Sequence, residues 1–248
     1  MKNFGLIGYP LTHSFSKQFF ENKFTKENID ASYENYELEC IDHFPELFNQ
    51  VSFNGLNVTI PYKESVIPFL DELDEISKSV GAVNTILPYL KDGNVILKGF
   101  NTDVYGFKQS IRSVLKNHHQ KALIFGTGGA SKAVSYVLKQ YGIYVNFISR
   151  SKTGSNFFSW ESINENMIKH HNILVNTTPL GMFPKDDYCL SIPYNAVNSS
   201  HLVIDLIYNP KETLFLKYCK QKGGHTLNGE RMLSCQALRS FEIWNKYE

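Results

Sequence analysis

The chain has 248 residues, 42% hydrophobic and 20% charged, with a formal net charge of +1. That length suits one large domain or two modest ones, and the composition is that of a core-forming globular protein. Charge so near zero gives no electrostatic footprint for nucleic acid or an anionic membrane, and no apolar run is long enough to span a bilayer. The first ten residues turn polar too soon for a secretory signal. Cys40, Cys189, Cys219 and Cys235 show neither metal nor redox spacing. A cytoplasmic protein with reduced thiols is therefore expected.

Phe4 to Gly8 is a short apolar strand that breaks at Tyr9-Pro10. Ser14 and Ser16 follow at a strand-to-helix junction, ahead of a helix carrying Phe19, Phe20 and Phe24 at helical spacing. Hydroxyls there either cap the helix or bind an anion. Ala31 to Leu38 alternates like a strand, and His43 to Gln50 forms a short helix. The alternating run Phe53 to Ile60 ends at Pro61, a residue favoured at the first helical position. The spacing thus predicts a helix through Lys63 to Val66. A cation in a first helical turn opposes the macrodipole by up to about 1 kcal/mol. Lys63, beside the polar strand end Asn57 and Thr59, is then either a solvated surface lysine or a cation with a duty outside its own helix.

A helix from Asp71 to Ser79 is expected next, stopped by Gly81. Val83–Leu87 and Val95–Leu97 face each other across Lys91-Asp92-Gly93-Asn94, a hairpin signal. The second strand runs through Gly99 to Asp103 into a helix with Phe107, Ile111, Val114 and Leu115 on one face. Asp103 opens that helix, as a cap or as a functional acid. This half is a small α/β unit whose strand ends carry Ser14, Asn57, Lys63, Asn84 and Asp103.

The pattern then resets. A buried strand, Ala122–Phe125, opens into Gly126-Thr127-Gly128-Gly129-Ala130-Ser131 and a helix stopped by Gly142. With strand Ile143–Ser149 behind it, this is the βαβ setting of a dinucleotide site, although Ser131 stands at the third glycine position. An NAD site calls for an acid about 20 residues on. Here the next strand end reads Ser149-Arg150-Ser151-Lys152, and guanidinium pairs bidentately with a 2′-phosphate, so NADP is expected. Ile173–Asn176 and Leu202–Leu206 are further strands. Helices from Lys211 to Gln221 and through Cys235, Gln236 and Trp244 close the chain. His118-His119 and His170-His171 lack partners at metal spacing and read as solvated loop residues, so no metal is expected.

Together these stretches resemble one family, the shikimate dehydrogenases. The likeness is carried by Gly8-Tyr9-Pro10 with His13 to Ser16, Asn57 to Lys63, Gly81 to Thr85, and Gly99 to Asp103 with Gly106. It continues in Gly126 to Ala130, Asn176 to Thr178 with Gly181-Met182, Asp205 with Tyr208 and Pro210, and Gly229 with Met232-Leu233 and Gln236-Ala237. The motifs fall in the family's order along nearly the whole chain.

The resemblance implies an α/β fold of two domains. A substrate-binding domain with a mixed sheet would take 1–102 and, by return of the C-terminal helix, 230–248; a Rossmann-like NADP domain would take 103–229. It also implies NADPH-dependent, reversible reduction of 3-dehydroshikimate to shikimate in aromatic amino acid biosynthesis, with Lys63 and Asp103 as the catalytic pair. A lysine held by an aspartate can orient and polarise a carbonyl and relay a proton; which of the two delivers it stays open.

By the same likeness Ser14 and Ser16 would bind the substrate carboxylate, and Asn57, Thr59, Asn84, Asp103, Tyr208 and Gln236 the ring hydroxyls. Gly126, Thr127, Gly128, Gly129, Ala130, Ser149, Arg150, Ser151, Lys152 and Thr177 would hold the cofactor, with Leu206, Gly229 and Met232 lining the nicotinamide pocket. A monomer and a homodimer are both open.

There are departures from the family pattern. Lys17 and Phe20-Glu21 stand where it usually has proline and His-Asn, Ser149-Arg150-Ser151 where it has Asn-Arg-Thr, and Arg231 where a second glycine is usual. A quinate/shikimate dehydrogenase with relaxed cofactor use and a non-catalytic ligand-sensing relative are the competing readings.

Overall fold

Phe4 and Leu6 turn to one face of the first strand and Ile7 to the other, and a separate core forms on each side. The computed structural model describes residues 1–11 and 14–246; His13 of the serine motif lies outside them. Two compact units divide the chain, Met1–Thr102 with Ala237–Glu248, and Asp103–Gln236.

The first unit contains β1 (Lys2–Gly8), α1 (Phe15–Glu27), β2 (Ala31–Glu37), α2 (Phe44–Gln50), β3 (Gly55–Val58), β4 (Glu72–Leu73), α3 (Glu75–Val80), β5 (Thr85–Lys91) and β6 (Asn94–Phe100). Its sheet runs β2-β1-β3-β5-β6-β4. It is mixed: β1 pairs parallel with β2 and β3, while β3, β5 and β6 are antiparallel neighbours. Asp92 and Gly93 both adopt positive φ between β5 and β6, as a tight right-twisted hairpin requires.

The helix α4 (Thr102–Ile111) leads into the second unit. There β7 (Lys121–Phe125), α5 (Gly129–Gln140), β8 (Tyr144–Ile148), β9 (Phe157–Phe158), α6 (Glu165–His170), β10 (Ile173–Asn176), β11 (Leu202–Asp205), α7 (Leu214–Gln221) and β12 (His225–Leu227) precede α8 (Glu230–Trp244). The sheet order β12-β11-β10-β7-β8-β9 is parallel throughout. Its inner strands are apolar runs buried on both faces. No described helix is long and apolar enough to cross a membrane.

The return to the first unit falls inside α8, at Gln236–Ala237, later than the expected boundary at 229/230. Upstream of it, Gly106 of α4 lies so close to α8 that an added Cβ would sit 2.5 Å from the Met232 carbonyl oxygen. Downstream, Ala237, Ile243 and Trp244 join the Phe4 core. The Trp244 ring stacks on Phe4 at 4.8 Å and its Nε1–H donates to the Ile86 carbonyl at 3.0 Å. Gly55 makes room for it, since a Cβ there would lie 2.3 Å from Nε1.

Three local expectations fail. Residues 61–66 are successive turns and not a helix. The Lys63 carbonyl, which a helix would direct to Ile67, accepts the Val83 N–H at 2.7 Å, and the Ile67 N–H goes to Glu64. Lys63 therefore stands in no helix and has no macrodipole to oppose. The helix expected from Asp71 starts late: Asp71 bonds Leu97 of β6 through its N–H and its carboxylate, Glu72–Leu73 form β4, and α3 starts only after Asp74, which caps the Ser77 N–H at 2.7 Å.

Two histidines expected in solvent are not exposed. His119 and His171 are buried. His119 Nδ1 accepts the Lys116 N–H at 3.0 Å. Asn146 donates to His171 Nε2 at 2.9 Å, and His171 Nδ1–H donates to the Met167 carbonyl at 2.7 Å. Each ring thus has an accepting nitrogen that a second proton would spoil.

Burial pushes the His119 pKa down to about 4, against an ordinary 6.5. Between those values the unfolded chain binds the proton and the folded chain does not, so stability is full above pH 6.5 and declines toward pH 4. His119→Asn, whose Oδ1 can accept the same N–H, should flatten that decline. Melting curves across this window check it; parallel curves for both proteins would assign the decline elsewhere.

Candidate active site

In the first unit the segment Ala82–Thr85 grips the chain on both sides. Its Val83 N–H holds the Lys63 carbonyl, its Ala82 carbonyl accepts the Asn101 side chain at 2.8 Å, and Asn84 holds Thr102 twice. Asn84 Oδ1 accepts the Thr102 N–H at 2.7 Å and Nδ2 donates to Thr102 Oγ1 at 2.9 Å. Asp103 is the next residue. It is buried in the first turn of α4, where the helix N-terminus favours a carboxylate. Lys63 is half-buried.

Asn57, the last residue but one of β3, has its amide engaged: Oδ1 accepts from the Tyr33 hydroxyl at 2.8 Å and Nδ2 donates to the Asn84 carbonyl at 3.1 Å. Ser16 is buried in α1. Ser14 is the N-cap of α1 and accepts the Lys17 N–H at 3.3 Å. A proline at position 17 has no such N–H to give. The Lys17 side chain pairs with Glu34 at 2.6 Å. Thr59 follows the strand, its N–H on the Ile7 carbonyl. Tyr33 carries no feature by which sequence alone could mark it. It reads there as one more strand aromatic.

In the second unit the expected cofactor residues are the ones just past the strand ends: Gly126 after β7, Ser149 after β8, Thr177 after β10 and Leu206 after β11. The register aligns Phe125, Ile148, Asn176 and Asp205 side by side, so these follow along one sheet edge. The chain passes from β7 to β8 on one side and later to β10 on the other, which makes β7/β10 the switch point where open α/β sheets bind ligands.

Gly126 has φ +107°, and a Cβ would lie 2.7 Å from Thr177 Oγ1. Gly128 faces open space and begins α5 with no side-chain cap. An uncapped N-terminus behind a glycine turn suits a pyrophosphate. Ser131, in place of the third glycine, is buried and donates to the Gly128 carbonyl at 2.6 Å, so it closes the turn.

Ser149 Oγ accepts the N–H groups of Ser151 and Lys152 at 3.2 and 2.8 Å, and Lys152 Nζ reaches the Thr127 carbonyl at 3.4 Å. Two cations, Arg150 and Lys152, thus stand on the loop beside the glycine turn. That donor set fits a dinucleotide bearing a 2′-phosphate.

Gly229 meets Leu206 so closely that a Cβ would be 1.9 Å from its carbonyl oxygen, and Met232 and Gln236 follow on α8, both buried. Arg231 is exposed there and fills no interior space. Tyr208 is half-buried in the loop after β11. Asp205, wholly buried, accepts from Asn176 Nδ2, the Ile207 N–H and the Thr213 hydroxyl at 3.1, 3.1 and 2.7 Å. It ties the turns after β10 and β11 to α7. Among the described residues no group of three His, Cys, Asp or Glu could hold a metal ion.

A parallel sheet with a glycine turn at its switch point and cations at the next strand end belongs to the dinucleotide-dependent oxidoreductases. Here it follows a mixed-sheet unit with buried polar strand ends. Residues 6–86 match the shikimate dehydrogenase substrate binding domain. A shikimate dehydrogenase (NADP(+)) of Methanosphaera stadtmanae is 38% identical over 97% of this chain and 90% of its own length.

The crystal structure of shikimate dehydrogenase 1 from Peptoclostridium difficile, 36% identical, covers 100% of this chain and 93% of that one with a TM-score of 0.81. That of shikimate 5-dehydrogenase from Thermus thermophilus in complex with NADP(H) and shikimate, 28% identical, covers 99% and 94% with a TM-score of 0.84. The chain belongs to the shikimate dehydrogenase family.

Burial raises the Asp205 pKa from 3.8 to about 6, against its three donors. Within that window the folded state keeps a proton that the unfolded state releases, so the Asp205 contribution to stability falls as pH rises. Asp205→Asn can keep all three hydrogen bonds by turning the Thr213 hydroxyl. Its stability relative to the parent should improve steadily from pH 4 to pH 6. Denaturant titrations of both proteins at each pH test this, and a constant difference would refute it.

Proposed function

We propose that the chain catalyses the reversible, NADP-dependent reduction of 3-dehydroshikimate to shikimate, with Lys63 and Asp103 as its catalytic pair. The observation that carries the pairing is the grip of one segment, Ala82–Thr85, on the Lys63 carbonyl and on Thr102, the neighbour of Asp103. Two chain segments fixed to one stretch of backbone can present an ammonium and a carboxylate to one substrate.

Adding hydride to a ketone builds negative charge on oxygen, and a positioned ammonium stabilises it and supplies or relays the proton. NADP supplies or takes up the hydride. Asp103 would hold the ammonium aimed at the substrate. Ser14 Oγ spends a lone pair on the Lys17 N–H and so keeps its hydrogen for the substrate carboxylate. Ser16 would join it. Asn57 Oδ1 keeps one lone pair for a ring hydroxyl, with Thr59, Asn84, Tyr208 and Gln236 as further partners.

The unit built on 1–102 with the end of α8 would hold the substrate and the parallel-sheet unit the cofactor. The pyrophosphate would rest on Gly126–Ala130 beside Thr177, the 2′-phosphate on Ser149–Lys152, and the nicotinamide near Leu206, Gly229 and Met232. A cytoplasmic setting fits the four free cysteines, and a monomer or homodimer would serve equally.

The expected result is turnover of shikimate with NADP, followed at the nicotinamide absorption band, well above that of quinate or of NAD. Lys63→Ala should lower kcat by about 10²-fold or more and change KM for shikimate much less. A raised KM with kcat intact would make the lysine a binding residue only. Arg150→Ala should raise KM for NADP by about tenfold and leave NAD nearly untouched. Equal losses on both cofactors would remove its assigned role.

A further inference from the structure

Behind Thr102 lies a chain of buried polar side chains that includes a residue of α8, Ser240. Tyr33 donates to Asn57 Oδ1 at 2.8 Å. Asn57 Nδ2 has two hydrogens, one directed to the Asn84 carbonyl and one to Ser240 Oγ at 3.0 Å. Ser240, accepting there, has its own hydrogen for Thr85 Oγ1 at 2.7 Å. The Thr85 hydrogen then meets Asn84 Oδ1 at 3.2 Å, the same oxygen that takes the Thr102 N–H. Ser240 Oγ also lies 3.2 Å from Thr102 Oγ1. Ser240 and Thr85 are fully buried, and Thr102 is 1% exposed.

Stability alone does not ask for such a network. Buried polar groups replaced by apolar ones of similar shape are often neutral or stabilising, whereas a fully satisfied network selects one arrangement among several. Alanine at 240 and valine at 85 would pack in the same space. What the hydroxyls add is direction, because Thr102 is held at once by Asn84, Thr85 and Ser240. Thr102 is joined by one peptide bond to Asp103.

We infer that Ser240 is a positioning residue. Its hydroxyl, through Thr85, Asn84 and Thr102, sets the backbone from which the Asp103 carboxylate projects. The effect on catalysis rests on the functional reading above, while the effect on Asp103 does not. A reacting group misplaced by about 1 Å can cost about 10²-fold in rate, so a partial loosening is expected to be visible.

The test pairs kinetics with a direct view of the carboxylate. In Ser240→Ala, kcat for shikimate with NADP should fall about tenfold, with KM for shikimate within about twofold. The ¹³C carboxyl resonance of Asp103, assigned by its loss in Asp103→Asn, should move. Thr85→Val, which removes the next hydroxyl, should do the same and carries the test should Ser240→Ala not fold.

Parent values of kcat and of the resonance, even with a lowered Tm, would leave Ser240 a packing residue and overturn the inference. So would a fall in kcat with the resonance unmoved. A moved resonance with kcat intact, or in a protein that does not turn over shikimate, would uphold the positioning and count instead against the catalytic role of Asp103.

Discussion

The two hydrogen bonds between the Asn84 amide and Thr102 carry more of this molecule than any other polar contact described. An amide has one acceptor and one donor end, and Asn84 uses both on the same neighbour, so Thr102 is fixed in rotation as well as in distance. Because Val83 of the same segment holds the Lys63 carbonyl, two stretches far apart in sequence share one anchor. The anchor lies at the head of β5, inside a sheet buried on both faces. It therefore inherits the stiffness of the core.

The parallel-sheet unit solves a different problem with the same economy. Its four inner strands end level, and the residue after each is a candidate ligand contact. Most of the ordering is local: the Gly126 φ, the Ser149 hydroxyl on two following N–H groups, and Ser131 on the Gly128 carbonyl. Asp205 is the exception, a buried carboxylate that knits two such turns to a helix from a distance. Its unfavourable burial is accepted where three donors converge.

Local features were the ones legible in the sequence. The strand–glycine turn–helix at Ala122–Gln140, the Asp92-Gly93 hairpin and the Gly81 stop all follow from a few adjacent residues, and the structure shows each. The helix expected at Pro61 is absent because its Lys63 carbonyl is claimed by Val83, a partner that no window around Pro61 contains. The Asp71 helix is delayed in the same way, by Leu97. His119 and His171 look like solvent-facing polar residues in one dimension; only the packing of neighbouring strands and helices buries them.

Site residues divide along the same line. Lys63, Asp103 and Arg150 stand out by charge at a strand end. Tyr33 and Ser240 do not, since the bond that gives Ser240 its meaning joins it to Asn57 across 183 positions.

The seating of Trp244 against Gly55 and Phe4 bears on how the protein is made. During translation residues 1–102 emerge before the parallel sheet, yet the indole that completes their core stands at 244 and emerges after the whole of that sheet. Until then the nascent first sheet lacks part of its covering. The parallel sheet, whose strands are all in hand by Leu227, is free to form earlier. Of the two units, the one begun earlier is thus the one completed later.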